Sequence, residues 1–383
     1  MKIGIVCYPT FGGSGVVATE LGKALAEGGH KIHFITYEQP TRLLEFFNEN
    51  IYYHKVDVLS YPLFEFAPYE LALASKIVNV AKYEHLDLLH VHYAIPHASA
   101  AFMAREILKS QGIHLPYITT LHGTDITLVG KDETYEPVVT FSINQSDGVS
   151  TVSESLKRDT YAHFAVTKPI EVIPNFIDLG RFKKQKKEHF KHAICPSGER
   201  LVVHTSNFRK VKRIDDVIKI FCRIRQAIPA KLLLVGDGPE RRRIEQLCQE
   251  MNLSDDVRFL GKLEAIEEVL SVADLFLMPS EKESFGLAAL EAMACEVPVI
   301  SSNTGGIPEL NIHGQTGFLS NVGDVQEMAK NALFVLDEDN LPTFKANALA
   351  RAKEFDVQNI RPLYEAMYER ILAQSIANQP ALV

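Results

Sequence analysis

Short runs of apolar residues alternate with longer stretches in which apolar positions recur every three to four residues, and this alternation continues along almost the whole chain. Residues 3–8 read as a buried strand. Pro9–Gly15 is a glycine-rich turn, and Val16–Ala26 has helical spacing with Val17, Leu21, Ala24 and Leu25 on one side. Gly28-Gly29 stops that helix and Lys31–Thr36 resumes as a strand, which completes a βαβ unit. Further strands are expected at residues 86–93, 116–121 and 148–152, with helices over 71–83 and 97–109. Ser153 and Ser155 open the next helix with N-cap chemistry. Residues 39–70 carry Phe46, Phe47, Tyr52, Tyr53, Tyr61, Phe64, Phe66 and Tyr69 between prolines and read as an irregular flank of a site.

Pro169–Asp178 is a short strand bracketed by prolines, as at a crossing between domains. A second alternation follows, with strands expected at 201–205, 231–235, 257–260, 274–278 and 297–301 and an edge-like one at 316–319. A helix is expected over 215–228, another with Pro239 at its first position, and the chain is helical from Asp324 onward. No repeat of solenoid length is visible. The expected fold is α/β: two facing, doubly wound Rossmann-like domains, 1–168 and 169–360, with an interdomain cleft. The final helix, about 361–383, is expected to pack back on the first domain.

Composition narrows the classes. The 383 residues are 46% hydrophobic and 23% charged, as in a soluble globular protein. No run approaches the ~18–20 apolar residues of a membrane span. The net charge of −8 argues against nucleic acid as a partner. The basic stretch Arg181–Lys191 reads as a solvated segment. Five scattered cysteines without a C-x-x-C point to a reducing cytoplasm, with no disulfide or structural zinc. Whether the chain forms a homo-oligomer is left open.

The candidate chemistry clusters at strand ends. Glu283 and Glu291 stand eight positions apart across a loop-to-helix junction. On one helix they would be roughly 12 Å apart, wider than the ~5–9.5 Å of a glycosidase carboxylate pair. They suit opposite ends of a long ligand, with the amides of Phe285, Gly286 and Leu287 at a helix start holding phosphate between them. Arg209, Lys210, Lys212 and Arg213 follow a strand end where a diphosphate clamp would sit. Gly13-Ser14-Gly15-Val16-Val17-Ala18 with Glu38 fits a dinucleotide fingerprint, a helix start that binds another anion, or a plain tight turn. His90 and His92 share a strand face; His90 reads as a core residue and His92 as free to line the cleft. His122, at a strand's C-terminal end, is expected to face a ligand. No ligand set at diagnostic spacing marks a metal site, and no cofactor is implied.

Together these motifs resemble the retaining glycosyltransferases of family 4, which have the GT-B arrangement. The resemblance covers nearly the whole chain and rests on the early glycine loop, Val172–Asn175, Val235–Pro239, Glu283–Leu287 with Glu291, Gly305–Glu309 and Thr316–Leu319. It implies that Glu283 and Ser284 hold the donor sugar, that the amides at Phe285, Gly286 and Leu287 hold sugar and phosphate, and that Glu291 holds the ribose. It implies that Gly261, Lys262 and Leu263 meet the base and that Lys212 binds phosphate. Where the family often has arginine, this chain has Asn207, with Arg209 two residues on. A narrower resemblance within the family is carried by Tyr8–Gly15, His90–His97, Thr120–Asp125 and Ser206–Arg213. It implies transfer from UDP-N-acetylglucosamine to L-malate, the first step of bacillithiol biosynthesis. We assign the chemistry to Glu283, His122, Lys212 and Arg209, and malate to Gly13, Ser14, Gly15, Tyr93, Thr120 and Asn207. Rival expectations are another acceptor (an inositol phosphate, a sugar or a lipid), a nicotinamide oxidoreductase, and a non-catalytic nucleotide-sugar binder.

Overall fold

The computed structural model describes residues 1–10, 12–44, 46–59, 63–129, 132–185 and 187–377. Phe11 of the first glycine turn, Tyr61 of the aromatic flank and residues 378–383 of the expected last helix lie outside the described residues. Two units are formed, one from Met1–Asn175 with the stretch from Val357, the other from Phe176–Asp356.

In the first unit seven strands run parallel: β1 Lys2–Val6, β2 Lys31–Thr36, β3 Ile51–Lys55, β4 Leu88–His92, β5 Tyr117–Leu121, β6 Gly148–Thr151 and β7 Ile170–Val172. Their order is β3-β2-β1-β4-β5-β6-β7. The second unit has β8 Arg200–Thr205, β9 Ala230–Val235, β10 Val257–Gly261, β11 Leu275–Met278, β12 Val299–Ser302 and β13 Gly317–Ser320, in the order β10-β9-β8-β11-β12-β13. Helices on both faces explain why β11 is apolar and buried throughout and why the middle of β8, Leu201–His204, is buried as well. One face of the first sheet buries Ile35, Leu89 and Val91 against Leu73, Ile77 and Leu108; one face of the second buries Val202, Leu234 and Leu277 against Val217, Phe221 and Met328. In each sheet the order reverses once, between β1 and β4 and between β8 and β11. Loops leaving the C-terminal ends of such strand pairs diverge and open a crevice for ligands.

The helix Val357–Ala377 returns to the first unit. Its Tyr364 and Tyr368 are fully buried, and the Tyr368 hydroxyl lies 2.8 Å from His90 Nδ1. Gly148 packs under this helix, where a Cβ would stand 2.7 Å from the Met367 methyl.

Four sequence expectations change. The flank at 39–70 contains an edge strand, β3, paired in register with β2; its Ile-Tyr-Tyr core has strong β propensity, but only the neighbouring strand reveals it. A helix at Glu136–Gln145 had no counterpart in the sequence reading; Pro137 sits in its first turn, where the missing N–H costs nothing. The short strand at the crossing pairs with β6 and so belongs to the first sheet. The basic stretch 181–191 is only partly a solvated segment: Lys183 and Lys184 are exposed, but Arg181, Lys187 and Lys191 are paired. Lys191 and Lys345 both reach the buried Asp274, at 2.7 and 3.0 Å, and Arg181 and Lys187 pair with Glu267 and Glu268. Burial pushes the Asp274 carboxyl up, but Lys345 and Lys191 outweigh it and hold it below the usual range. Among the described residues no helix is long and apolar enough to cross a membrane.

Candidate active site

In the first unit three loops meet above β1, β4 and β5. The turn after β1 needs two glycines for different reasons. Gly13 has φ +66°, a backbone that side chains resist, whereas at Gly15 a Cβ would lie 2.3 Å from the Tyr8 carbonyl. The helix Ser14–Glu27 that follows has no side-chain cap and no acid in its first turn. Its leading amides are available to an anion. After β5, Asp125 is 2% exposed and accepts the amides of Gly123 (2.9 Å), Ala94 (3.2 Å) and His122 (3.3 Å). It staples the loop after β4 to the loop after β5. Burial pushes its carboxyl up to about 6, while those amides pull the other way.

Four histidines line the same end. His97 Nδ1–H donates to the His92 carbonyl, which sets its tautomer. His92 Nδ1 and His122 Nε2 share a proton at 2.8 Å, and the His90, His92 and His122 rings stack in series. Burial pushes His90 and His122 down to about 3, His97 to about 4 and His92 well below its ordinary value. All four are neutral near pH ~7. His122, 7% exposed, therefore carries no positive charge there. Tyr93 packs against His122 (5.5 Å) and Tyr8 (5.4 Å), and Tyr8 against His97 (4.5 Å), which forms an aromatic corner.

In the second unit the loops after β8 and β11 are joined by the Glu281 amide on the Val211 carbonyl (2.8 Å). Lys212 Nζ lies 2.5 Å from Glu283 Oε1, and the Ser280 hydroxyl donates to the same oxygen at 2.9 Å. Beneath them His204 Nδ1–H donates to the Leu277 carbonyl (2.8 Å), so its Nε2 accepts the Ser206 hydroxyl (2.9 Å) and fixes the root of the cation loop. Burial pushes His204 down to about 4. Arg213 is committed elsewhere, to Asp216 at 2.6 Å, while Arg209 and Lys210 are exposed. Gly236 lets the next turn press against this loop, since a Cβ there would stand 1.8 Å from the Ser206 carbonyl.

Gly286, at φ +98°, turns the chain into the helix Leu287–Ala294. The first amides to use the Gly286 carbonyl are those of Ala289 (2.9 Å) and Leu290 (3.1 Å), which leaves the Leu287 and Ala288 amides facing outward from the helix start. The Phe285 ring is buried against Phe355 at 5.5 Å and pins this corner, so only its amide can serve a ligand. Glu283 lies in the loop and Glu291 in the second turn of the helix, so the single-helix spacing does not describe them. Ser284 and Glu291 are half-buried; Gly261 ends β10 at φ +69°, with Lys262 and Leu263 exposed beyond it. Asn207 is exposed after β8.

Two sequence assignments are corrected. Thr120 is 0% exposed and bonds to His90 Nε2 and Ser150, both at 2.7 Å, so its hydroxyl is spent inside the sheet. His92 is likewise fully buried, in contact with His122, and does not line a cleft. Sequence reasoning missed Asp125 and Ser280 as site builders. Asp125 follows Gly123 in a pattern typical of side-chain-closed turns, a signal that was there to use.

Residues 11–181 match the model of Glycosyltransferase Family 4, and residues 184–351 that of glycosyl transferases group 1. The chain is 47% identical over 378 residues to the N-acetyl-alpha-D-glucosaminyl L-malate synthase of Bacillus anthracis, covering 97% of each. It is 27% identical to the 2-deoxystreptamine N-acetyl-D-glucosaminyltransferase of Niallia circulans, over 69% of this chain and 71% of that one. Among solved structures, HepE of Anabaena in complex with UDP and glucose superposes with a TM-score of 0.81 at 22% identity, covering 96% of this chain and 99% of that one. That likeness concerns the fold.

Proposed function

The chain belongs to glycosyltransferase family 4, and from that premise we propose that it moves N-acetylglucosamine from UDP-N-acetylglucosamine to the hydroxyl of L-malate with retention of the α configuration, opening bacillithiol biosynthesis. It is a UDP-sugar glycosyltransferase with the GT-B fold. The observation that carries the choice of substrates is the 47% identity, spread over 97% of the chain, to an enzyme named for that product.

The chemistry we assign is as follows. The malate hydroxyl attacks the anomeric carbon on the face from which UDP leaves. A carbon–oxygen bond to malate forms, the bond to the β-phosphate oxygen breaks, and the malate proton passes to that departing oxygen. Negative charge grows on the diphosphate, where Lys212 and the amides at Gly286–Leu287 stabilise it. Glu283, held by Ser280, binds sugar hydroxyls, and Glu291 binds the ribose. Gly261, Lys262 and Leu263 meet the base. The amides at Gly13–Gly15 and the Tyr93 corner take the malate carboxylates and skeleton, and neutral His122 hydrogen-bonds a hydroxyl.

The test is UDP release from UDP-N-acetylglucosamine with a panel of acceptors. L-malate is expected to give turnover, unchanged by EDTA. Turnover with an inositol phosphate, sugar or lipid but none with malate would overturn the acceptor.

The glycine at 305 offers a second check. Its φ is +56°, and a Cβ would stand 1.9 Å from the Glu283 carbonyl, which also accepts the Gly306 amide at 3.0 Å. Gly305→Ala must displace the loop that presents Glu283. A shift of about 1 Å at a reacting centre costs on the order of 10²-fold in rate. A drop of that size in kcat for UDP release, with a lowered melting temperature, is expected; unaltered turnover would show that the loop position does not matter.

A further inference from the structure

Three donor groups outside the strand-end loops converge on one face of the first sheet. His33 is in β2, His54 in β3, and Glu84 is the last residue of the helix Tyr69–Glu84. In the parallel pairing His33 stands opposite Tyr52, so His54, two residues on, shares its face. Ile35, on that same face of β2, packs with Leu73 and Ile77 of the helix, which brings the helix end down over both histidines.

His33 Nδ1 is 2.9 Å from His54 Nε2, and one ligand atom from each of the three side chains lies within 4.8 Å of the other two. His33 is 1% exposed, and its Nε2 meets no partner among the described residues. The Tyr52 ring stacks on it at 4.7 Å and 11°, which fixes the plane of the imidazole. Tetrahedral zinc ligands at ~2.0–2.1 Å from the metal stand about 3.3 Å apart, so the two nitrogens would separate by only a few tenths of an ångström to admit an ion.

We propose that His33, His54 and Glu84 hold one divalent transition-metal ion such as Zn2+, with solvent completing its coordination. Two imidazoles and a carboxylate are donors that zinc and its neighbours favour over magnesium or calcium. His54 and Glu84 are half-buried, so the ion has a path in. Lys2, which begins β1, is tied to the Glu84 carbonyl at 2.7 Å. The cluster sits midway along β2 and β3 at the edge of the sheet, apart from the loops that follow β1, β4 and β5. Its role there is structural: it ties the edge strand β3 to β2 and to the helix.

The experiment uses the full chain without a histidine tag, stripped by chelator and titrated with Zn2+ by calorimetry and with Co2+ by visible absorption. One equivalent is expected, with the intense ligand-field bands of a four-coordinate cobalt site and a rise in melting temperature. His54→Ala and Glu84→Gln, both at half-buried positions, are expected to weaken binding about tenfold or more, since each removes a ligand. His163→Ala, an exposed histidine elsewhere, is expected to leave it unchanged. His54→Gln and circular dichroism check that loss of binding is not loss of fold. No saturable equivalent in the wild type, or equal binding in folded His54 and Glu84 variants, would overturn the site.

Discussion

Lys212→Ala is expected to lower kcat/KM for UDP release by about 10²–10³-fold, the range seen when a single preorganised group that meets developing transition-state charge is removed. Four cations follow β8, and the structure distinguishes them. Arg213 is spent on Asp216, in the first turn of the helix Ile214–Ala227. Arg209 and Lys210 are exposed, where a charge is screened by water and salt. Lys212 is 22% exposed and is held 2.5 Å from Glu283. Removing it takes away the cation and leaves the Glu283 carboxylate unbalanced beside a diphosphate. The ranking expected from steady-state kinetics is Lys212→Ala well below Arg209→Ala, with Arg213→Ala affecting melting temperature more than rate. A larger loss in Arg209→Ala than in Lys212→Ala would place the charge on the wrong residue.

Acidification from about pH 7 to about pH 5 is expected to unfold the first unit before the second. His90, His92, His97 and His122 are buried, and burial holds all four below their ordinary value, at about 3 for His90 and His122 and about 4 for His97. A histidine lowered in the fold contributes stability that is complete above its unfolded pKa of ~6.5 and is lost as pH falls toward its folded value. At about pH 5 each such residue has given up on the order of 2 kcal/mol. Asp125 has the opposite sign: raised to about 6, it is least favourable when ionised, and protonation on acidification returns about 1–2 kcal/mol. The net loss of several kcal/mol is comparable with the ~5–15 kcal/mol that holds a domain together. The second unit carries His204 alone among fully buried histidines of its described residues. Calorimetry across this range should resolve two transitions, the one from the first unit moving down more steeply. A melting profile flat from about pH 7 to about pH 5 would contradict the neutral, buried histidine network.

Much of the fold was legible because its signals are local. Thr205, Val235 and Met278 end apolar runs at polar or glycine turns, and each run is a strand. Gly286 before Leu287-Ala288-Ala289-Leu290 announces a helix start. Ile51–Lys55 was not legible, because an edge strand half-exposed to water lacks the continuous apolar run of its neighbours and is defined by its partner β2. The candidate site divides in the same way. Glu283, Lys212 and the Gly286 corner follow strand ends and stand out in the sequence as candidates, and the fold brings Lys212 to Glu283. Thr120 also lies at a strand end, but the side chains alternate, and its face is the one that meets His90 and Ser150.

By itself, then, the sequence determined that this chain is two parallel α/β units, that its candidate site residues gather at strand ends, and that glycines shape those turns. These follow from periodicity and turn preference, which act over a few residues. Only the tertiary structure decided that Lys212 meets Glu283 across 71 positions of chain, that Asp125 joins two loops, and that His33 and His54 converge with Glu84. Those meetings depend on which strands become neighbours and which face each residue presents once they do, and the order β8-β11 or β1-β4 is settled by packing between elements far apart in sequence.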